Sequence, residues 1–205
     1  MRITLEEKTA TRRRIVAAAV DLFRSQGFDA TTTRDIAHSA KIATGTLFNY
    51  FDTKEAIVAE LADEALAKAR GALAQATSQS TFEEDLFTLV ATELRQLRPL
   101  RKFIAPFLET TLSPIVSMRR AGADDTRIAH LELVAEIARR HGVADLSPVA
   151  LQMYWALYTG VLAYWAADRS PKQEDTLALL DESLHMFAAW QFSPAGPPQI
   201  ERHAS

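Results

Sequence analysis

Five residues within one short stretch, Thr44, Gly45, Thr46, Asn49 and Tyr50, carry the most suggestive chemistry in this 205-residue chain. They offer two hydroxyls, a carboxamide, a phenol and a glycine, with no carboxylate among them. At helical spacing Leu47 and Phe51 fall on the opposite side, so one face anchors the stretch and the other is free to read something. Hydroxyls and carboxamides hydrogen-bond base edges and phosphates, and glycine lets a backbone come close. Cations stand nearby: Arg12, Arg13 and Arg14 at the start of a first helix, Arg34 at the start of a second and Lys54 at the start of a fourth, the last able to add a helix N-terminus to its ammonium against a phosphate. The charge balance agrees. Residues 1–54 hold nine Lys/Arg against six Asp/Glu, and the remainder holds fourteen against twenty. A cationic end on an acidic body suggests a polyanion-binding end.

Other chemistry is harder to assemble. Without cysteine there is no disulfide, thiolate nucleophile or Cys-ligated metal. No nucleophile-elbow, phosphate-loop or dinucleotide pattern occurs. Glu182-x-x-His185 has the spacing of a carboxylate–imidazole ligand pair, but a di-iron bundle needs two such motifs and more carboxylates. No catalytic residue, metal site or cofactor is therefore expected, and His38 is read as an exposed residue. The N-terminus lacks a signal-peptide pattern, which points to the cytoplasm.

Helical periodicity runs almost throughout. Ile15, Ala18, Ala19, Leu22 and Phe23 form an amphipathic stripe, Gly27 stops it in a left-handed C-terminal position, and Phe28 is suited to fold back on the last turn. Thr32 and Asp35 make a capping-box-like pair before a short helix, Thr33 to Ala40. Another short helix runs from about Thr44 to Phe51. A longer, alanine-rich helix starts near Lys54, capped by Asp52 or Thr53, and Thr81-x-x-Glu84 opens the next. Pro99, Pro106 and Pro114 cut the middle into pieces near 100–112, 114–121 and 125–141. Ser147-Pro148 and Ser170-Pro171 each announce a further helix. The expectation is an all-α chain of nine or ten helices without strands. Its parts are a DNA-binding domain at 1–53, a larger helical domain at 54–192 and a flexible tail at 193–205.

Three helices in about fifty residues, the last two short and joined by a tight turn, match a helix-turn-helix. Residues 12–57 resemble the DNA-binding region of the TetR (tetracycline-repressor-like) family of bacterial one-component regulators. The resemblance rests on the Ala-rich first helix, the Gly27-aromatic step, Thr32-Thr33 before Asp35-Ile36-Ala37, then Gly45-Thr46-Leu47, an aromatic, Tyr50-Phe51 and Lys54-Glu55. It implies that Thr33, Thr46, Tyr50 and Lys54 hold phosphates while Arg34, Thr44, Gly45 and Asn49 face bases. The chain departs from the family at Lys41, where Gly is usual, at Ala43, where a Ser or Thr cap is usual, and at Phe48, where Tyr is usual. Losing the cap weakens the helix by about 1 kcal/mol, and Lys41 adds a possible phosphate contact.

The stretch Leu146–Ala167 has 22 residues without formal charge. A membrane span would fit its length, but Gln152, three tyrosines, Thr159 and the initial proline favour a buried helix. Ala156, Gly160, Ala163 and Ala167 make a small-residue face, and Trp155, Tyr158, Leu162 and Trp165 line another. Leu177, Leu180, Leu184 and Phe187 form a stripe on the last helix. The resemblance implies that these two helices pair with their symmetry mates in a dimer; the alternative keeps both faces within one subunit. Phe103, Phe107, Leu108, Met118, Trp155 and Tyr158 are candidates to line a cavity for a small, mainly apolar effector. The combined expectation is a homodimeric, effector-responsive regulator, most simply a repressor, on a near-palindromic double-stranded DNA operator. The alternative is a helical ligand-binding protein or enzyme with a vestigial DNA-binding region.

Overall fold

A computed structural model describes residues 4–75, 79–101 and 123–193. Among these residues there are eight α-helices, two single turns of 3-10 helix and no strand. The expected pieces near 100–112 and 114–121, and the tail beyond Ser193, lie outside the described residues. No helix among the described residues is long and apolar enough to cross a membrane.

Helix α1 spans Leu5–Gln26 and starts well before the arginines. Thr4 and Glu7 form a reciprocal capping box, which satisfies otherwise unpaired N–H groups of the first turn. Arg12, Arg13 and Arg14 therefore sit in the helix body rather than at its start, a correction to the sequence reading. Gly27 ends the helix at φ 92°, ψ 159°, an extended positive-φ conformation essentially reserved for glycine, rather than the left-handed helical one. Phe28 does fold back, its ring centroid 5.0 Å from that of Phe23.

Helices α2 (Thr33–Ser39) and α3 (Thr44–Phe48) follow. The Thr32–Asp35 box is made in both directions despite the shorter acid. Those bonds, led by the one from the Thr32 hydroxyl, hold the Asp35 carboxyl below its usual range. Helix α3 stops at Phe48, earlier than expected, and Phe51 is buried just beyond it. One small core serves all three helices and the start of the next: Ile15, Ala19, Phe23, Ile36, Leu47 and Ile57 are fully buried.

Helix α4 (Lys54–Ala74), capped by Thr53, belongs to both halves of the chain. It touches α1 at its beginning and packs along α5 (Phe82–Leu97) and α6 (Ala123–Arg140) further on. Residues Ala65 and Ala69 bring its backbone close to its neighbours. Helix α5 is the central post of the body, with Phe82, Leu86, Leu89 and Val90 buried. Helix α8 (Glu174–Gln191) packs against α5, and α7 (Pro148–Ala167) packs against α8. Past α5, the 3-10 turn Arg98–Leu100 touches α1, and Arg101 Nε donates to the Trp165 carbonyl at 2.7 Å.

The second serine–proline signal opens a 3-10 turn, Pro171–Gln173, rather than the last α-helix directly. Lys172 and Gln173 both take positive φ, 51° and 65°. Asp168 holds this corner together. Its carboxylate accepts from the Ser170 N–H at 2.7 Å and from both the N–H and the hydroxyl of Thr176. These bonds, chiefly the one from the Thr176 hydroxyl, pull its pKa down to about 2. The carboxyl is a better acid folded than unfolded, so its stabilisation is complete above the unfolded pKa and is lost as pH falls from about 4 to about 2. Asp168→Asn should lower the melting temperature at pH 6 and shrink its decline between pH 4 and pH 2, as circular dichroism melts would register. An unchanged acid-side slope would contradict this role.

Candidate nucleic-acid interface

Helix α3 exists because Leu47 within it and Phe51 just beyond it are trapped. Leu47 is fully buried and Phe51 nearly so, both in the core they share with Ile36. Five residues cannot hold a helix alone, and Ala43 provides no side-chain cap, as the sequence suggested. The helix borrows its order from the layer beneath it.

The turn before it is under strain. Ile42 N–H reaches back to the Ala37 carbonyl at 3.0 Å and closes the end of α2. This closure needs a left-handed residue, and Lys41 supplies it at φ 55°. A non-glycine residue there costs about 1–2 kcal/mol. The turn leaves an exposed ammonium just before α3.

With that brace in place, Gly45 and Asn49 are exposed, and Thr44, Thr46 and Tyr50 are half-buried. Thr33 is half-buried and Arg34 exposed in the first turn of α2. The structure brings these residues onto neighbouring elements of one end of the molecule. A Cβ added at Gly45 would meet nothing within 4 Å, so the fold itself does not need glycine there. Phe48 is 45% exposed on the same short helix, an apolar ring without the hydroxyl of the family's usual Tyr.

Two of the expected cations are engaged inward. The Lys54 ammonium donates to the Phe28, Thr31 and Asp29 carbonyls at 2.6, 3.2 and 3.4 Å. It also stands 4.3 Å above the Phe28 ring. Its charge thus closes the corner between α1 and α2, and the main-chain N–H groups at the start of α4 are what this position can turn outward. Arg12 grips Glu60 of α4 through two hydrogen bonds, 2.6 and 2.5 Å, and lies 4.6 Å over the Phe51 ring. Those bonds hold the Glu60 carboxyl below its usual range. Sequence spacing could not reveal either partner, which lie 23 to 26 residues away for Lys54 and 48 for Arg12. Arg13, Arg14, Arg34, Lys41 and His38 are exposed.

The other expected positions divide. Ala156, Gly160, Ala163 and Ala167 are all exposed along one side of α7, with Met153 and Tyr164 beside them. Leu177 is 39% exposed, but Leu180, Leu184 and Phe187 are buried within the protomer. Phe187 packs against Tyr154 and Phe82, with ring centroids 5.6 and 6.2 Å away. These three belong to the protomer core, because their face of α8 is the one turned toward α5 and α7. The outward side of α8 carries Leu179 and Met186 instead, 38% and 60% exposed. Trp155 is half-buried and Tyr158 buried. Phe103, Phe107, Leu108 and Met118 lie outside the described residues. His185 faces Glu83 of α5 at 3.5 Å, and among the described residues no three His, Asp or Glu side chains group as metal ligands.

A braced pair of short helices on a larger all-helical body defines the class: a helix-turn-helix protein. Residues 15–61 match the profile of bacterial regulatory proteins of the tetR family. The HTH-type transcriptional repressor KstR2 of Rhodococcus jostii (strain RHA1) is 43% identical over 54 residues, 26% of each chain. The uncharacterized HTH-type transcriptional regulator YvkB of Bacillus subtilis (strain 168) is 30% identical over 94 residues, 45% of this chain and 49% of that one. The matched segments span between a fifth and a half of the length of the curated relatives. Over nearly the whole chain the fold resembles that of Thermus thermophilus FadR, a TetR-family transcriptional repressor solved with lauroyl-CoA. The TM-score is 0.67 at 26% identity, covering 93% of this chain and 100% of that one. The likeness to the tetR family thus covers residues 15–61 in sequence and nearly the whole chain in fold.

The inward use of Lys54 changes what its removal should do. Lys54→Met deletes a charged donor from a carbonyl cage, a loss of about 1.5–3 kcal/mol before allowance for its partial exposure. The melting temperature should drop and affinity for all duplexes should weaken together, while the slope of log affinity against log salt stays as in the wild type. A flattened slope at unchanged stability would return the ammonium to the phosphates.

Proposed function

We propose that the protein is an effector-responsive DNA-binding transcriptional regulator, a repressor that holds a near-palindromic operator as a homodimer. The observation that carries this reading is the exposed, acid-free face of Thr44–Tyr50, held rigidly by buried Leu47 and Phe51. In this reading Thr44, Gly45 and Asn49 meet base edges together with Arg34, and Thr33, Thr46 and Tyr50 meet phosphates. Lys54 acts through the N-terminus of α4. The divisions at 53 and 192 are retained, with α4 as the connection between reading head and body.

The exposed apolar side of α7 and α8 supports self-association. A face of Ala156, Gly160, Ala163 and Ala167 lets two helices approach closely, and Leu179, Met186 and Leu177 supply apolar area around it. A dimer would present two α3 helices to half-sites one helical turn apart, about 34–36 Å. The effector reading draws on the FadR neighbour, solved with lauroyl-CoA. A molecule that prefers a different head separation releases DNA, and linkage requires DNA to weaken its binding by the same factor.

Selection from a pool of random duplexes tests the reading directly. The expected product is a two-fold symmetric consensus, and recovery of no preferred sequence would overturn the proposal. Within that consensus, Asn49→Ala should relax one base pair in each half-site, a loss of about 1–3 kcal/mol there, with other positions unaffected.

Gly160→Leu isolates the dimer. A Cβ there meets nothing within 4 Å in the protomer, so helicity and fold should persist. Analytical ultracentrifugation should show a shift from dimer to monomer, and operator affinity should fall with it. A Gly160→Leu variant that remains dimeric would place the interface elsewhere.

A further inference from the structure

The turn between α2 and α3 holds a residue that its backbone does not favour. Lys41 sits at φ 55°, and among the described residues of the first four helices no other non-glycine residue takes a positive φ. Its neighbours fix it there. Ala40 is fully buried and Ile42 packs against the core. The N–H groups of Lys41 and Ile42 donate to the His38 and Ala37 carbonyls, both at 3.0 Å. The left-handed conformation presses a β-carbon against the backbone, a penalty that glycine avoids. Strain that well-packed neighbours maintain points to a side chain required for something other than folding.

The Lys41 side chain is exposed, and among the described residues no carboxylate pairs with its ammonium. The charges around it are sparse. Residues 36–51 contain no Asp or Glu, and Lys41 is their only Lys or Arg. The acid just before that stretch, Asp35, is held by the N–H and the hydroxyl of Thr32. What α3 itself turns outward is neutral: hydroxyls, a carboxamide and a phenol. Neutral donors bind phosphate less strongly than charged ones, and the release of counterions that drives binding to a duplex requires Lys or Arg. The ammonium expected to supply this charge, that of Lys54, is taken up by the Phe28, Asp29 and Thr31 carbonyls. The cation nearest to α3 in the chain is Lys41, three residues before Thr44.

We propose that Lys41 is the phosphate-binding cation of the α2–α3 turn, in place of the Lys54 ammonium, and that the left-handed strain at this position is retained for that contact. This assignment rests on the reading of the N-terminal helices as DNA-binding and adds the residue that supplies their charge beside α3. Each protomer of a dimer sets one such ammonium against the backbone of its half-site.

The test uses the full-length protein and two duplexes, one carrying the selected consensus and one of unrelated sequence, titrated between about 50 and 200 mM salt. Lys41→Gln removes the charge and keeps the left-handed backbone. The slope of log affinity against log salt should flatten by about 0.9 per protomer on both duplexes, a loss of roughly 30-fold for a dimer at physiological salt. Lys41→Arg should keep the wild-type slope. Lys41→Gly should lose the same slope while its melting temperature rises by about 2 °C, relief of strain exceeding the added freedom of the unfolded chain. Weaker binding by a more stable protein separates a phosphate contact from a structural role, in which both would fall, and from a bystander, in which affinity would hold. An unchanged slope in Lys41→Gln, a lower melting temperature in Lys41→Gly, or an equal loss of slope in Lys54→Met would overturn the proposal. If the wild type selects an operator and the Lys41 variants bind it as tightly, this assignment falls and the regulator reading stands. If the wild type binds neither duplex, both fall.

Discussion

The ammonium of Lys54 is the point on which the N-terminal three-helix head depends. It gathers carbonyls from the corner between α1 and α2, lies on the Phe28 ring, and is itself the first residue of α4. A compact cation suits this task because its three donors can satisfy several carbonyls from one position. Arg12 makes the complementary tie from α1 to Glu60, further along α4, and covers Phe51 on the way. Between these two clamps the start of α4 cannot shift without carrying α1 and the brace of α3 with it. The head is thus mechanically continuous with the helix that enters the body.

Much of the head was legible in the sequence because its determinants are local. The Thr32–Asp35 box, the inward pair Leu47 and Phe51, and the missing cap at Ala43 can each be read within a few residues. The start of α1 was also written locally, in Thr4-x-x-Glu7, but its first turns carry no apolar stripe and periodicity passes over them. Lys54 and Arg12 were legible only as cations. An ammonium near a helix start suits a phosphate and a cage of carbonyls equally well, and only the folded chain brings Phe28, Asp29 and Thr31 to it.

In the body, periodicity identified faces without saying what covers them. The stripe through Leu180, Leu184 and Phe187 is real, yet an apolar stripe looks the same whether it meets a partner or its own core. The small-residue face of α7 was more informative, since four small residues in register fill little of an interior. The buried hydrogen-bonded cluster of Glu93, His130 and Tyr154 was out of reach for a different reason. Its members stand on three helices, the first two 37 positions apart, and none belongs to a spaced motif.

The alanine content of α4 has a mechanical consequence. Helices resist sliding past one another because bulky ridges of one lock into grooves of the next. Near its middle α4 offers its neighbours Ala65 and Ala69, methyl groups that project barely beyond the backbone. Such a contact is close but shallow, and the interlocking of ridges is left to Leu66 and Leu73 of the same helix. The body holds this rod from its rim, through Asp63 to Thr126, Lys68 to Gln96 and Arg70 to Glu136, so whatever moves those three ties is felt at the far end where Lys54 and Arg12 clamp the prong.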